Sequence, residues 1–232
     1  MIAPYYSEPD FAIYHGDARE ILPSVEADVC VTDPPYAAET HAGARTGKGD
    51  RALVDFDCME ADTLRAHFDF IASQIKRWVV ATVDYRHIPA LHRCIALDFV
   101  RFGVWVKHGA APQFTGDRPA QGWEAVAILH KHGAGRMRWN GGGGHAVWTT
   151  GIERGEHKTQ KPQALVGQFV RLFSDPGETI LDPFLGSGST LVAAKANGRR
   201  GIGIEREERW CELAAKRLSQ GDLFSRLGDT QP

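Results

Sequence analysis

Asp33-Pro34-Pro35-Tyr36 combines two kinds of chemistry in one turn. Pro34 has a carbonyl but no N–H, so it can only accept hydrogen bonds, and Asp33 beside it supplies a second acceptor. Two acceptors around one point suit an amino group with two N–H bonds. Tyr36 adds a flat face on which a heterocyclic ring can stack. A strand ending in a tight proline turn, with Asp33 capping and Tyr36 packing, would share this pattern.

A second constellation lies far downstream at Asp182-Pro183-Phe184-Leu185-Gly186-Ser187-Gly188-Ser189-Thr190. Glycines let the backbone approach a ligand closely, and a helix starting here would offer unpaired N–H groups to a carboxylate or other anion. Roughly twenty residues further, Gly201-Ile202-Gly203-Ile204 ends in Glu205, a spacing at which an acidic residue can hold the hydroxyls of a ribose. No Lys follows the glycines, which argues against a triphosphate-binding loop. The dinucleotide GxGxxG pattern also lacks its third glycine.

Both constellations need strands that end at a common edge, and the hydrophobic pattern supplies them. Phe11–His15, Ala27–Thr32, Trp78–Val83, Glu178–Leu181 and Arg200–Ile204 read as strands. Helical spacing covers Leu64–Ile75, Gln163–Phe173, Thr190–Ala196 and Glu207–Leu218. Phe99–Val106 and Glu124–His130 read as an antiparallel pair around a polar loop. This alternation predicts an α/β fold with a mostly parallel sheet closed by an antiparallel strand. Two stretches carry no regular pattern, Ala37–Glu60 and Gly133–Glu156, and loops of that length are usually functional or disordered.

Together the two constellations resemble the amino-group DNA methyltransferases, which methylate adenine N6 or cytosine N4. Asp33-Pro34-Pro35-Tyr36 looks like their catalytic tetrapeptide, and Asp182–Thr190 looks like their S-adenosylmethionine loop. The resemblance assigns cofactor contacts to Asp182, Phe184, Gly186, Ser187, Gly188 and Thr190, with Glu205 on the ribose. Gly16-Asp17 resembles the turn whose acidic side chain faces the cofactor adenine. Lys161, within His157-Lys158-Thr159-Gln160-Lys161-Pro162, falls in a segment resembling the one that helps hold the methionine end. The tetrapeptide comes first and the cofactor loop last, a permuted order similar to that of the β subgroup. The match is good over roughly residues 11–36 and 157–218 and loose between them.

The resemblance implies a Rossmann-like methyltransferase fold, residues 1–232 forming one catalytic domain. It also implies that an exocyclic amine, flipped out of double-stranded DNA and stacked on Tyr36, takes a methyl group from S-adenosylmethionine. A tetrapeptide beginning with Asp favours adenine N6, with cytosine N4 as the alternative. A cofactor-binding but inactive partner subunit is a further reading, disfavoured by the intact tetrapeptide. None of the four cysteines follows a proline, unlike the nucleophile of carbon-5 cytosine methyltransferases. The family's recognition segment lies between the two halves, which places it at residues 133–156 and gives Arg136, Arg138 and Trp139 to DNA, with Arg45, Lys48 and Arg51 as further phosphate contacts. Such a short segment implies a short target sequence or a homodimer sharing the task. The compact size is compatible with a phage-borne or solitary bacterial enzyme.

Composition narrows the remaining classes. The 232 residues are 43% hydrophobic and 24% charged, enough apolar material for a real core and too much for a disordered chain. Lys and Arg total 27 against 29 Asp and Glu, so bulk charge does not draw this chain to nucleic acid and any basic face must be local. Cys30, Cys58, Cys94 and Cys211 are scattered without a CxxC pair, and Cys30 reads as core. With neither a signal-peptide pattern nor a long uncharged run, a cytoplasmic protein is expected, without a membrane partner. No metal is expected: His130 and His132 straddle Lys131 but lack further ligands. Asp84 reads as a helix cap.

Overall fold

A computed structural model of the chain describes residues 2–36, 59–153 and 160–228, with 221–228 as backbone only. The expectations at Arg45, Lys48, Arg51, Cys58 and His157–Thr159 lie outside the described residues. Nine strands are found among them: β1 (Tyr6–Glu8), β2 (Phe11–His15), β3 (Val29–Thr32), β4 (Trp78–Val83), β5 (Leu97–His108), β6 (Trp123–Lys131), β7 (Val147–Gly151), β8 (Thr179–Asp182) and β9 (Arg200–Glu205). They form one sheet in the order β1-β2-β9-β8-β3-β4-β6-β5-β7. Pairing is parallel from β2 through β9, β8 and β3 to β4; β6 runs antiparallel to both neighbours, and β1 antiparallel to β2. The mostly parallel sheet with an antiparallel closing strand is therefore as expected.

The helices are α1 (Ala18–Ile21), α2 (Ala61–Gln74), α3 (Ile88–Leu91), α4 (Gln163–Phe173), α5 (Ser189–Ala196) and α6 (Glu208–Gly228). They cover both faces of the sheet, which is why β3 and β4 read as largely apolar runs with every residue buried. Side chains alternate between two cores. Val29, Val31, Val80 and Val126 pack with α4, α5 and α6, whereas Cys30, Val79, Ala81 and Ala127 pack with α2 and α3. Helix α2 buries Leu64, Phe68, Ile71 and Ala72 along one stripe, at the spacing that a 3.6-residue period requires.

Two strands fall where the sequence carries little pattern. β7 lies inside the stretch 133–156 and pairs in parallel with the outer edge of β5. Its burial alternates around one anchor, Trp148, whose ring meets Phe169 edge-on at 4.9 Å. β1 is three residues long. Both are edge strands, half exposed, so their hydrophobic signature is short. No helix among the described residues is long and apolar enough to cross a membrane.

Candidate active site

β3 and β8 are neighbours in the sheet, so the two constellations, 150 residues apart, end side by side. The Thr32 hydroxyl donates to Asp182 Oδ1 at 2.6 Å, tying the end of β3 to the end of β8. A cavity of about 680 Å³ opens at this edge. Asp33, Pro34, Pro35, Tyr36, Asp17, Lys161, Asp182, Phe184, Gly186, Ser187, Thr190 and Glu205 all line it. Of the cofactor and tetrapeptide residues expected from the sequence, only Gly188 stands behind the wall.

The tetrapeptide wall is built from charged side chains. Asp33 Oδ1 accepts from the Thr82 hydroxyl at 2.6 Å, and Oδ2 accepts from Lys161 Nζ at 2.7 Å. Lys161 Nζ also stands 3.4 Å from Glu124 Oε2 and 5.1 Å from the centre of the Tyr36 ring. The Tyr36 hydroxyl donates to Glu124 Oε2 at 2.7 Å, and Lys107 donates to the other oxygen of Glu124. Two carboxylates and two ammonium groups thus alternate, and each is mostly shielded from water. Burial raises the Asp33 carboxyl above its usual range, although Lys161 opposes this. Burial would also raise Glu124, but Lys161 and Lys107 outweigh it and hold that carboxyl at about 2. Lys161 is penalised by burial, yet Asp33 and Glu124 raise it.

Glu124 and Lys107 did not emerge as site residues from sequence patterning, though a signal exists. Glu124 occupies the same strand face as buried Val126 and Ile128, and Lys107 the same face as buried Trp105. A charge at an inward position of a buried strand needs a partner.

The cofactor-loop wall is built from backbone. Gly186 and Gly188 have φ of +51° and +81°, a region that favours glycine. At Gly186 a Cβ would meet nothing within 4 Å, so the turn leaves open space on the cavity side. Gly188 is constrained for a different reason than ligand approach: a Cβ there would fall 2.8 Å from that of Ala214 on α6. The Gly186 N–H donates to Glu205 Oε2 at 2.8 Å, and the Glu207 N–H to Oε1 at 2.8 Å. These two bonds fix the carboxylate at the end of β9. Burial raises the Glu205 carboxyl, and the backbone N–H groups pull it back only in part.

Asp182 is only 2% exposed and accepts from Thr32 and from the Phe184 N–H at 3.1 Å. Burial pushes it up to about 6 despite these bonds and that of Thr190. Ser187 is turned toward α6, where Arg217 reaches its hydroxyl at 3.0 Å. Asp17 caps α1, accepting from the Arg19 N–H at 2.8 Å, and its side chain pairs with the Arg19 guanidinium, which holds it at about 2. Lys161, expected at the methionine end, lines the cavity and bridges Asp33 and Glu124.

Arg136, Arg138 and Trp139, expected as DNA contacts, lie away from the cavity. The Arg138 carbonyl accepts from Trp78 Nε1 at 2.7 Å, and Trp78 begins β4, at the edge of the sheet opposite the cavity. Arg138 pairs with Asp175, just before β8, and the Trp139 ring packs 5.8 Å from Phe173. Arg136 is exposed in the same segment. The stretch 133–146 therefore leads along the far end, and only Ile152 and Glu153 within residues 133–153 reach the cavity. Asp84 accepts from the Arg86 N–H at 3.0 Å as a cap. His130 and His132 point to different partners, Trp78 and Asp98. Among the described residues no three His, Cys, Asp or Glu side chains are grouped to hold a metal ion.

Comparison with known proteins places this geometry. Residues 27–216 match the N6_N4_Mtase family, described as DNA methylase. The type II methyltransferase M.HinfI of Haemophilus influenzae is 28% identical over 245 residues, 90% of this chain and 68% of that protein. The crystal structure of an M1.HpyAVI–SAM complex superposes with a TM-score of 0.71 at 26% identity, covering 90% of this chain and 100% of the other. The cytosine-N4-specific PvuII DNA methyltransferase shares the fold, with a TM-score of 0.73 at 15% identity over 93% of this chain and 89% of its own.

Proposed function

This chain belongs to the amino-group DNA methylase family, and we propose that within it the protein methylates the N6 amine of adenine in double-stranded DNA, with S-adenosylmethionine as donor. The observation that carries the reading is that Asp33 and Tyr36 line the same cavity as the Gly186 turn and Glu205. The open space at Gly186 fits a cofactor lying against the turn. Glu205, held by two backbone N–H groups, keeps further lone pairs for ribose hydroxyls. The N-terminus of α5 favours a carboxylate, and Asp17 at the rim lies where an adenine amine could be met. When bound, S-adenosylmethionine supplies an activated methyl group on a sulfonium sulfur.

The rest of the chemistry belongs to the chain. An exocyclic amine is a poor nucleophile because its lone pair is delocalised into the ring. Hydrogen bonds from the amine to Asp33 and the Pro34 carbonyl favour a tetrahedral nitrogen with that lone pair free. Tyr36, its hydroxyl fixed by Glu124, offers its face to the flipped base. Much of the rate then comes from positioning. DNA approaches the edge where the cavity opens, so Arg136, Arg138 and Trp139 at the far end take no part. The preference for adenine over cytosine rests on Asp33 opening the tetrapeptide.

Incubation of the protein with labelled S-adenosylmethionine and DNA, followed by digestion to nucleosides, tests the reading. N6-methyladenine is expected. N4-methylcytosine alone would overturn the choice of base, and no labelled nucleoside would overturn the activity.

A further inference from the structure

The tetrapeptide carboxylate is not idle: both oxygens of Asp33 are engaged, Oδ1 by Thr82 and Oδ2 by the Lys161 ammonium. An incoming amine must therefore share Oδ2 with Lys161 or displace it. Lys161 has a second anion within reach, Glu124 Oε2 at 3.4 Å against 2.7 Å for Asp33. Closing that gap to hydrogen-bond length requires a movement of less than about 1 Å by a flexible side chain. Glu124 is itself fixed from two other sides, by Lys107 and by the Tyr36 hydroxyl, so it can receive the ammonium without moving.

We propose that Glu124 is a positioning residue that draws Lys161 off Asp33 when the target amine arrives, with Lys107 setting the strength of that draw. The inference rests on the amine-methylating reading above. In the resting site Lys161 neutralises Asp33, which spares an unpaired buried carboxylate. When an amine N–H replaces the ammonium at Oδ2, Lys161 moves onto Glu124 within the same cluster, and Asp33 keeps hydrogen bonds from Thr82 and the amine. The same carboxylate holds the Tyr36 hydroxyl, so the stacking face and the acceptor respond to one group. The exchange makes and breaks hydrogen bonds only.

The test is single-turnover methyl transfer at saturating target DNA, with S-adenosylhomocysteine binding measured on each protein. Glu124→Gln removes the second anion and leaves Lys161 on Asp33; the transfer rate should fall at least tenfold while cofactor-product affinity stays within about threefold. Lys107→Met leaves the Glu124 charge and strengthens its pull on Lys161; the transfer rate should rise at least twofold, the opposite sign to Glu124→Gln. A purely structural quartet would give similar losses in both variants, and that result would overturn the proposal, as would Glu124→Gln transferring within twofold of wild type. A crystal structure of the wild-type protein with target DNA reads the claim without any variant. Lys161 Nζ should lie within about 3.2 Å of Glu124 and beyond hydrogen-bond reach of Asp33; Nζ still bonded to Asp33 Oδ2 beside a flipped base would overturn it. Wild type that methylates no amine would instead remove the functional reading, and this inference with it.

Discussion

The two walls of the cavity solve their tasks with different materials. At the tetrapeptide wall Asp33, Lys161, Glu124 and Lys107 hold one another through side chains that come from four separate places in the sequence. At the cofactor-loop wall the work is done by backbone within one turn and the next strand: two left-handed glycines and two N–H groups on Glu205. A side-chain site can rearrange when its occupant changes, whereas a backbone site is set once the strands pair. The first suits a group that must be activated and the second a ligand that must be held.

Breaking one wall should therefore leave a different signature from breaking the other. The largest effect is expected at Asp33→Ala, which removes the acceptor beside Pro34; methyl transfer should fall by roughly a thousandfold or more, measured under single-turnover conditions. Gly188→Ala attacks the other wall through geometry. A φ of +81° and a Cβ placed 2.8 Å from Ala214 should destabilise the fold by about 2–4 kcal/mol in denaturant unfolding, weakening cofactor binding with it.

A pH series sharpens the comparison where the walls meet. The folded-state pKa of Asp182, about 6, lies above its unfolded value, so its stabilisation is complete below about 4 and is lost as pH rises through 6. The stability difference between wild type and Asp182→Asn should fall by on the order of 2–3 kcal/mol between pH 4 and 7.5. A flat difference would mean that Asp182 is not held in its raised state. The smallest effect is expected far from both walls. Arg138→Ala removes an exposed ion pair with Asp175 and should change stability by less than about 1 kcal/mol and transfer by less than twofold.

The same contrast governs what the sequence makes legible. Gln163–Phe173 and Trp78–Val83 are visible to the residue because apolar period and core burial coincide. The backbone wall is visible too, since strand, glycine turn, helix and terminal Glu205 are local features at fixed spacing. The side-chain wall is only half visible. Asp33 and Tyr36 stand out by type, but their tie to Glu124 spans 88 residues from Tyr36 and depends on β6 lying beside β4. Arg138 and Trp139 show the same limit: a basic and aromatic stretch suggests DNA, while the end of the sheet it occupies is decided by the direction of β6.

The most direct test of the account is the affinity of the Asp33→Ala protein for S-adenosylhomocysteine, measured by calorimetry on the preparation used for transfer. An amine-activating wall separate from a cofactor-holding wall predicts affinity within about threefold of wild type in a protein that no longer transfers methyl groups. Affinity lost in parallel with transfer would contradict it.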